Sequence, residues 1–273
     1  MSLEQLFGLH SKVSVITGGT GVLGSAMARG LAGVGARVGI LGRRLERASD
    51  VAAQIERAGG EAIPLPADVL VREELMRCEQ TVRERWGAVD ILVNVAGGNL
   101  PQATLANGGS IFDMPLEAWR PVIDLNLLGT LLPIQVFGAA MAKAGRGCII
   151  NISSMASHRA LTRVPVYSAG KAAVENLTRW LAVELARKHG PGLRVNAIAP
   201  GFFIGDQNRK LLINDDGSLT ARGKRIVEHT PAGRFGEPDE LVGTLVWLCS
   251  PASGFVNGAV IPVDGGFEAF GGV

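Results

Sequence analysis

The chain has 273 residues, of which 47% are hydrophobic and 19% are charged. This composition excludes a disordered chain, and the balance of 27 basic against 25 acidic residues argues against a surface for nucleic acid or for a membrane. The 37 glycines follow no period, which excludes a collagen-like sequence and indicates tight turns.

Apolar runs of strand length alternate with longer segments of helical periodicity along the chain. The runs are continuous in Val and Ile, as is typical of parallel strands buried on both faces. We therefore expect one α/β domain over residues 1–273, a Rossmann-type, doubly wound parallel sheet of about seven strands flanked by helices. The predicted strands are Val13–Thr17, Ala36–Gly42, Ala62–Pro66, Val89–Val95, Cys148–Ser153, Arg194–Ala199 and Ala259–Val263, and the predicted helices are Leu23–Val34, Leu45–Ala58, Arg72–Trp86, Leu116–Ala142, Ser168–Lys188 and Pro238–Cys249.

Two irregular stretches interrupt this alternation. Residues 97–114 form a short insertion, and residues 202–230 form a longer charged one that is predicted to be a substrate lid. The cysteines Cys78, Cys148 and Cys249 fall in apolar patterns, so we expect small core residues and no disulfide or metal site. The N-terminus does not read as a signal sequence and no uninterrupted apolar run reaches ~18 residues, so we expect a cytoplasmic protein with no membrane partner.

The first predicted strand leads into a glycine-rich turn, Thr17–Gly24. Glycines let the backbone approach a pyrophosphate, whose charge then faces the amides of a helix N-terminus. A purely structural turn is the alternative, but the position between strand and helix favours a dinucleotide site.

Strand two ends at Gly42, Arg43 and Arg44, where NAD sites usually carry a carboxylate. Two guanidinium groups favour the 2′-phosphate of NADP, with use of both cofactors left open and solvated arginines as the alternative.

Tyr167, the only tyrosine, precedes Lys171 by four residues, which places both side chains on one helix face. A nearby ammonium stabilises the phenolate and makes tyrosine usable as an acid/base near neutral pH. Ser153 and Ser154 close the preceding strand at the carboxyl edge of the sheet, where ligands of such folds bind. A surface pair on a helix is the alternative interpretation of an isolated Tyr-x-x-x-Lys.

The order of these motifs resembles the short-chain dehydrogenase/reductase family over essentially the whole chain. Three positions depart from the family pattern: Val22 at the second glycine of the turn, Val95 at the second asparagine of Asn-Asn-Ala-Gly, and Gly205 where a threonine often stands. The matching motifs are Thr17–Gly24, Ala67-Asp68-Val69, Asn94-Val95-Ala96-Gly97, Asp124-Leu125-Asn126-Leu127, Ser154, Tyr167-x-x-x-Lys171, Pro200-Gly201 and Asp264-Gly265-Gly266.

The resemblance implies an NAD(P)-dependent enzyme that moves a hydride between nicotinamide and a CH–OH carbon, as well as a homotetramer. It implies that Tyr167 is the general acid/base and that Ser154 holds the substrate oxygen. Lys171 is implied to bind the nicotinamide ribose and lower the pKa of Tyr167, while Asn126 supports a water of the proton relay. The implied cofactor contacts are Gly18, Thr20, Gly21, Val22, Leu23, Gly24, Arg43, Arg44, Asp68, Val69, Asn94, Ala96, Gly97, Tyr167, Lys171, Pro200, Gly201 and Phe203.

Polar and cationic residues on both sides of the reactive pair favour a hydroxylated acid as substrate over a steroid or an acyl chain. Residues 97–99, 125–133, 199–203 and 207–209 also resemble the D-mannonate oxidoreductase branch of the family, which interconverts D-mannonate and D-fructuronate. Alternatives are a dehydrogenase of another sugar acid or polyol (gluconate 5-dehydrogenase type), a 3-oxoacyl reductase and a non-catalytic dinucleotide-binding regulator. The candidate substrate residues are Asn99, Arg159, Arg163, Gln207, Asn208 and Arg209.

Overall fold

The computed structural model describes residues 2–106, 108–205 and 208–272, and one parallel sheet forms its centre. The sheet reverses its order between the first and fourth strands, and ligands of such sheets bind at this switch point, outside the carboxyl ends. The predicted fold and all seven predicted strands are confirmed. The strands are β1 (Val13–Thr17), β2 (Arg37–Gly42), β3 (Glu61–Pro66), β4 (Ile91–Asn94), β5 (Arg146–Ile152), β6 (Gly192–Pro200) and β7 (Val260–Val263), in the order β3-β2-β1-β4-β5-β6-β7.

Helices cover both faces of the sheet because each buries an apolar stripe against it. On one face Leu31 and Leu245 pack against the sheet, and on the other Phe137 and Leu181 do so. The strand β1 lies between these two layers and is buried along its whole length. The helices are α1 (Leu3–Phe7), α2 (Val22–Gly33), α3 (Leu45–Arg57), α4 (Arg72–Trp86), α5 (Trp119–Ile123), α6 (Gly129–Ala144), α7 (Pro165–His189), α8 (Arg209–Leu212), α9 (Ala221–Glu228) and α10 (Val242–Cys249).

The helix that carries the tyrosine begins earlier than the sequence predicts. Its first residue is Pro165 rather than Ser168, so Tyr167 lies within the first turn. Proline suits a first helical position because the missing N–H has no partner there in any case. The helical spacing between Tyr167 and Lys171 is therefore confirmed.

The predicted helix Leu116–Ala142 is broken into several pieces. A 3₁₀ turn at Leu116–Ala118 precedes α5, and a π-helical turn over Asp124–Leu128 separates α5 from α6. Such turns occur frequently at functional sites because they shift the phase of the side chains that follow. The turn here carries Asn126, whose amide nitrogen donates to the carbonyl oxygen of Val122 at 2.8 Å.

The segment Leu116–Ala144 is long and apolar enough to cross a membrane by length and composition alone, since an 18-residue window within it has a mean hydropathy of 1.5. The sequence expectation of no such segment rested on uninterrupted apolar runs, whereas this one reaches the threshold as an average. Within the domain, its residues Phe137 and Met141 pack against the sheet, and it also buries the polar side chains of Asn126 and Thr130. Of the most apolar 18-residue window in this segment, 39% is buried inside the domain, and one such helix is weak evidence of a membrane span.

Both predicted insertions follow carboxyl ends of strands and so lie at the edge where a ligand would bind. The first contains 3₁₀ turns at Pro101–Ala103 and Ile111–Asp113. The second contains α8 and α9, joined through a turn in which Gly217 has a φ of 84°. Leu212 and Ile226 are buried and anchor this lid.

Candidate active site

Glycines close the turn between β1 and α2 at the switch point. Gly18 has a φ of 63°, and a Cβ on it would lie 2.8 Å from the amide nitrogen of Ala96. A Cβ on Gly24 would lie 2.2 Å from the carbonyl oxygen of Gly18. The hydroxyl of Thr17 accepts hydrogen bonds from the amides of Val95 and Ala96, each at 3.2 Å. The turn and the loop after β4 therefore pack so tightly that neither Gly18 nor Gly24 has room for a side chain.

The N-terminus of α2 fits a pyrophosphate. Gly21 is its N-cap, makes no side-chain capping bond, and is followed by no acidic residue in the first turn. The first amides of a helix have no partner within it, and the helix dipole favours an anion at this end. Gly21 therefore provides a glycine at the start of α2, one residue before the position at which the family pattern has one. The residues present fit a dinucleotide.

The end of β2 has no room for the carboxylate of a typical NAD site. A Cβ on Gly42 would lie 2.9 Å from Cγ2 of Thr20 and 3.0 Å from its Oγ1. Arg43 and Arg44 follow and are both exposed at the mouth of the cleft. This edge therefore offers cations where a 2′-phosphate could bind.

Two of the expected cofactor residues are buried in the structure. Asn94 is 1% exposed, and its amide nitrogen donates to Oδ1 of Asn151 at 2.9 Å, which links β4 to β5, while its own Oδ1 has no hydrogen-bond partner among the described residues. Phe203 is buried and its ring fills the space above Gly236, so it packs the base of the lid. Asp68, in contrast, is half-buried after β3, and its Oδ1 accepts from the amide of Leu70 at 2.9 Å.

Ser154, Tyr167, Lys171 and Asn126 meet at the carboxyl ends of β4 and β5. The ammonium of Lys171 lies 5.7 Å from the centre of the Tyr167 ring and donates to the carbonyl oxygen of Ile152 at 2.7 Å. A Cβ on Gly97 would lie 2.8 Å from Oδ1 of Asn126 and 3.0 Å from Nζ of Lys171. The sequence therefore predicted correctly which residues the fold brings together here.

Burial dominates the electrostatics of this cluster. It raises the pKa of Tyr167 above its ordinary value, and a hydrogen bond with Ser154 opposes the rise. Burial also lowers the pKa of Lys171 to about 8. Burial and the Ser154 contact account for this shift, so the expectation that Lys171 lowers the pKa of Tyr167 stays a prediction. Tyr167 holds its proton at neutral pH.

Asn126 fixes the loop that follows β4. Its amide nitrogen donates to the carbonyl oxygen of Gly98 at 2.7 Å, and its Oδ1 accepts from the amide of Gly98 at 3.1 Å. Both polar atoms of the Asn126 side chain therefore form hydrogen bonds with the main chain of Gly98. Asn126 thereby positions Gly97 against Lys171.

Asn99 and Arg163 are the best placed of the candidate substrate residues. The amide nitrogen of Asn99 donates to Thr104 at 2.7 Å, while its buried Oδ1 has no partner among the described residues. Arg163 has a φ of 76°, and its Nε donates to the carbonyl oxygen of Leu105 at 2.6 Å. A non-glycine residue in this region costs conformational energy and is often found at functional sites.

Arg222 in α9 is a further candidate that no sequence motif marks. It is half-buried, and burial together with the charges of Arg163 and Arg225 lowers its pKa. No described acidic side chain forms an ion pair with Arg163 or Arg222 within 4.0 Å. The charged character of the lid was the available signal, but only the fold shows that α9 faces the loop before Tyr167.

The other candidate substrate residues are differently placed. The guanidinium of Arg159 donates to the main-chain oxygen of Glu268. Asn208 uses both polar atoms within the lid, since its Oδ1 accepts from the amide of Gly205 and its nitrogen donates to Phe203, each at 2.8 Å. The expectation that Asn208 reads a substrate hydroxyl is therefore not supported. Arg209 is exposed at the start of α8, and Gln207 lies outside the described residues.

Known proteins share this sequence and geometry. A protein-family model described as enoyl-(acyl carrier protein) reductase matches residues 20–268. An uncharacterized oxidoreductase of Bacillus subtilis, UxuB, is 48% identical over 274 aligned residues, which cover 97% of this chain and 98% of that protein. A solved structure from Haemophilus influenzae with bound NAD, provisionally described as a D-mannonate oxidoreductase, has a TM-score of 0.91 and 41% identity, covering 100% of both chains. A gluconate 5-dehydrogenase from Burkholderia cenocepacia in complex with NADP and tartrate has a TM-score of 0.87 and 33% identity, covering 98% of this chain and 99% of that one.

Proposed function

The chain belongs to the short-chain dehydrogenase/reductase family of oxidoreductases, and on that premise we propose that it interconverts D-mannonate and D-fructuronate with NAD or NADP. The observation that supports the sugar-acid assignment is a pair of arginines without a described acidic partner. Arg163, four residues before the reactive tyrosine, is anchored by its hydrogen bond to Leu105, and Arg222 lies near it on α9 of the lid. A closed cleft needs such a charge to pair a substrate carboxylate that has lost its water.

The nicotinamide cofactor supplies or accepts the hydride when it is bound. The Thr17–Gly24 turn and the first amides of α2 would hold its pyrophosphate, and Lys171 would bind its nicotinamide ribose. Tyr167 then donates a proton to the substrate oxygen during ketone reduction and takes it back during alcohol oxidation. Ser154, whose side chain opposes the rise in the pKa of Tyr167, would orient the same oxygen.

Substitution of the arginines tests the sugar-acid assignment. We expect Arg163→Ala or Arg222→Ala to cost roughly 2–4 kcal/mol in kcat/KM for D-fructuronate, because a desolvated carboxylate loses its partner. Reduction of D-fructose, a neutral ketose of similar length, should change little. Arg146→Ala is the matched control, because Arg146 is exposed at the amino end of β5. Arg159→Ala and Arg209→Ala complete the series.

Two outcomes would contradict the assignment. If none of these arginines distinguishes the acid from the neutral ketose, the substrate carries no carboxylate in this site. If all variants lose activity equally on both compounds, the arginines act on the fold and not on the substrate. If the arginine variants lose activity with gluconate-type acids but not with D-fructuronate, the gluconate 5-dehydrogenase alternative is favoured.

We also propose a preference for NADP. The support is the crowded position of Gly42 beside Thr20, together with the exposed Arg43 and Arg44. Arg43→Ala should reduce the ratio of NADP to NAD efficiency by about 1–3 kcal/mol, since it removes a charge-assisted hydrogen bond to the 2′-phosphate. Arg47→Ala, one turn further along α3 and equally exposed, is the control. An unchanged ratio in Arg43→Ala would remove Arg43 from cofactor selection.

The homotetramer implied by the resemblance and the cytoplasmic location expected from the sequence remain predictions. Light scattering of the purified protein tests the assembly directly, with four chains of 28.6 kDa expected per particle.

A further inference from the structure

One face of α7 carries a row of three buried polar side chains, those of Lys171, Glu175 and Thr178. They follow one another at intervals of four and three residues, which is the spacing of neighbours on one helix face. Each of them holds one of three consecutive residues that lead to Ser154. The pairs are Thr178 with the amide nitrogen of Asn151 at 2.8 Å, Lys171 with the main-chain oxygen of Ile152 at 2.7 Å, and Glu175 with the hydroxyl of Ser153 at 2.7 Å.

Glu175 is the titratable member of this row that the proposed mechanism does not use. Its side chain is 6% exposed, and a buried carboxyl group is costly unless hydrogen-bond donors satisfy it. Its Oε1 accepts from the hydroxyl of Ser153 and also contacts the hydroxyl of Ser157, while Nε2 of His158 lies 2.8 Å from the same oxygen. Its Oε2 accepts from the guanidinium of Arg179 at 3.3 Å. The two serines therefore share one acceptor on α7.

The segment between these two serines is short and closely bonded. Residues Met155–Ser157 form a single 3₁₀ turn that Ser154 caps. The hydroxyl oxygen of Ser154 accepts from the amide of Ala156 at 3.2 Å, and its main-chain oxygen accepts from the amide of Ser157 at 3.0 Å. A displacement of either end of this turn is therefore passed directly to the hydroxyl of Ser154.

We propose that Glu175 is a positioning residue, which holds the hydroxyl of Ser154 at the place where it and Tyr167 meet the substrate oxygen. It acts through Ser153 and Ser157, because one oxygen of its carboxyl group fixes both ends of the turn. A misplacement of about 1 Å can cost about 10²-fold in rate even when its cause is remote from the reacting atoms. This role rests on the proposed function only for the parts of Ser154 and Tyr167, and it applies to any ketone that the protein reduces.

Two substitutions separate the acceptor of Glu175 from the packing of its side chain. Glu175→Leu keeps most of the volume and removes both oxygens, so the hydroxyls of Ser153 and Ser157 lose their acceptor. Glu175→Gln keeps an amide oxygen for the two serines and places its nitrogen toward Arg179. The side chain of Arg179 is 54% exposed and can turn into solvent. We therefore expect Glu175→Gln to restore what Glu175→Leu loses.

Hydrogen exchange tests the positioning without any substrate. The amides of residues 157–159 are bonded within the turn, so their protection reports how firmly it is held. In Glu175→Leu this protection should fall at least about fivefold, while that of residues 149–151 in β5 stays within about twofold. Glu175→Gln should keep the protection of the parent. Glu184→Leu should keep it as well and is the matched control, because Glu184 pairs with Lys188 on the same helix.

A double-variant cycle supplies the kinetic readout. With D-fructuronate, kcat should fall about tenfold in Glu175→Leu and return to within about twofold of the parent in Glu175→Gln. The Kd of NADPH should change less than about twofold in both variants. In a Ser154→Ala background, Glu175→Leu should cost less than about a further twofold in kcat, because the hydroxyl that Glu175 positions is gone. A general effect on the fold would lower kcat by the same factor in both backgrounds.

Three results would overturn the proposal: unchanged protection of residues 157–159 in Glu175→Leu, equal losses of kcat in both backgrounds, and no recovery in Glu175→Gln. If Glu175→Leu does not fold, Ser157→Ala replaces it, and unchanged protection and kcat in that variant would overturn the proposal equally. A parent that does not reduce D-fructuronate contradicts the sugar-acid assignment alone. The exchange measurement needs no substrate, and the cycle can use any ketone that the parent reduces.

Discussion

Tyr167 has a proton that it can transfer, in surroundings that keep the proton in place at neutral pH. We expect Tyr167→Phe to lose at least about 10²-fold in kcat, because a general acid/base group contributes that much or more. Phenylalanine keeps the ring that packs beside Val166, so cofactor affinity should stay within about twofold. The measurement is cofactor absorbance for turnover and cofactor fluorescence for binding. Turnover within a few-fold of the parent would exclude Tyr167 from the mechanism.

The raised pKa of Tyr167 makes the two directions of the reaction respond differently to pH. Alcohol oxidation needs the phenolate, so its kcat/KM should increase as the pH rises through the alkaline range. Ketone reduction needs the phenol, so its kcat/KM should be level near neutral pH and fall only at high pH. Initial rates in both directions from about pH 6 to about pH 10 would show this, and an oxidation rate that does not depend on pH would contradict it.

Residue identities at the reactive centre could be predicted from the sequence because they lie at fixed offsets from strand ends and on one helix. The residues that read the substrate could not. Arg222 and Arg163 are almost sixty positions apart, and they meet only because α9 folds back over the loop before Tyr167.

At the scale of elements, the loop after β4 and the π-helical turn of Asn126 act as one unit. Gly97 lies against both Asn126 and Lys171, so its lack of a side chain sets the spacing of the site. We expect Gly97→Ala to lower kcat/KM at least about tenfold, since an added methyl must displace Oδ1 of Asn126 or Nζ of Lys171. The cost in the free energy of unfolding should be about 1–3 kcal/mol.

Gly33→Ala is the matched control for that variant. Gly33 ends α2, and a Cβ there would meet nothing within 4 Å. Alanine should raise the free energy of unfolding by about 0.5–1 kcal/mol and leave activity unchanged. Chemical denaturation and steady-state rates measure both quantities. Full activity in Gly97→Ala would show that the site tolerates a shift of Asn126 and Lys171.

The helices show which local signals are sufficient to predict the bounds of an element. Strong amphipathic segments such as α3 and α4 begin and end within two residues of the prediction. The π-helical turn could not be predicted from the sequence, because the apolar pattern of residues 116–142 continues through it. The cause of that turn is tertiary, since Asn126 bonds to Gly98 on a loop from another strand. Such contacts cannot be read from periodicity.

At the scale of the whole molecule, the doubly wound sheet was predictable because its strands are continuous apolar runs buried on both faces. The switch point between β1 and β4 then places the glycine turn, the end of β4 and the reactive tyrosine around one cleft. The fold therefore determines where the chemistry occurs. The insertions at residues 97–114 and 202–230 carry the groups that would choose the substrate.

The most direct test of the account is a panel of substrates assayed by cofactor absorbance. The panel contains D-fructuronate, 5-keto-D-gluconate, D-fructose and a 3-oxoacyl thioester, each with NADPH and with NADH. We predict that D-fructuronate gives a kcat/KM at least about tenfold above every other compound, and that this activity disappears in Tyr167→Phe. A preference for the neutral ketose or the thioester over both sugar acids would contradict the account.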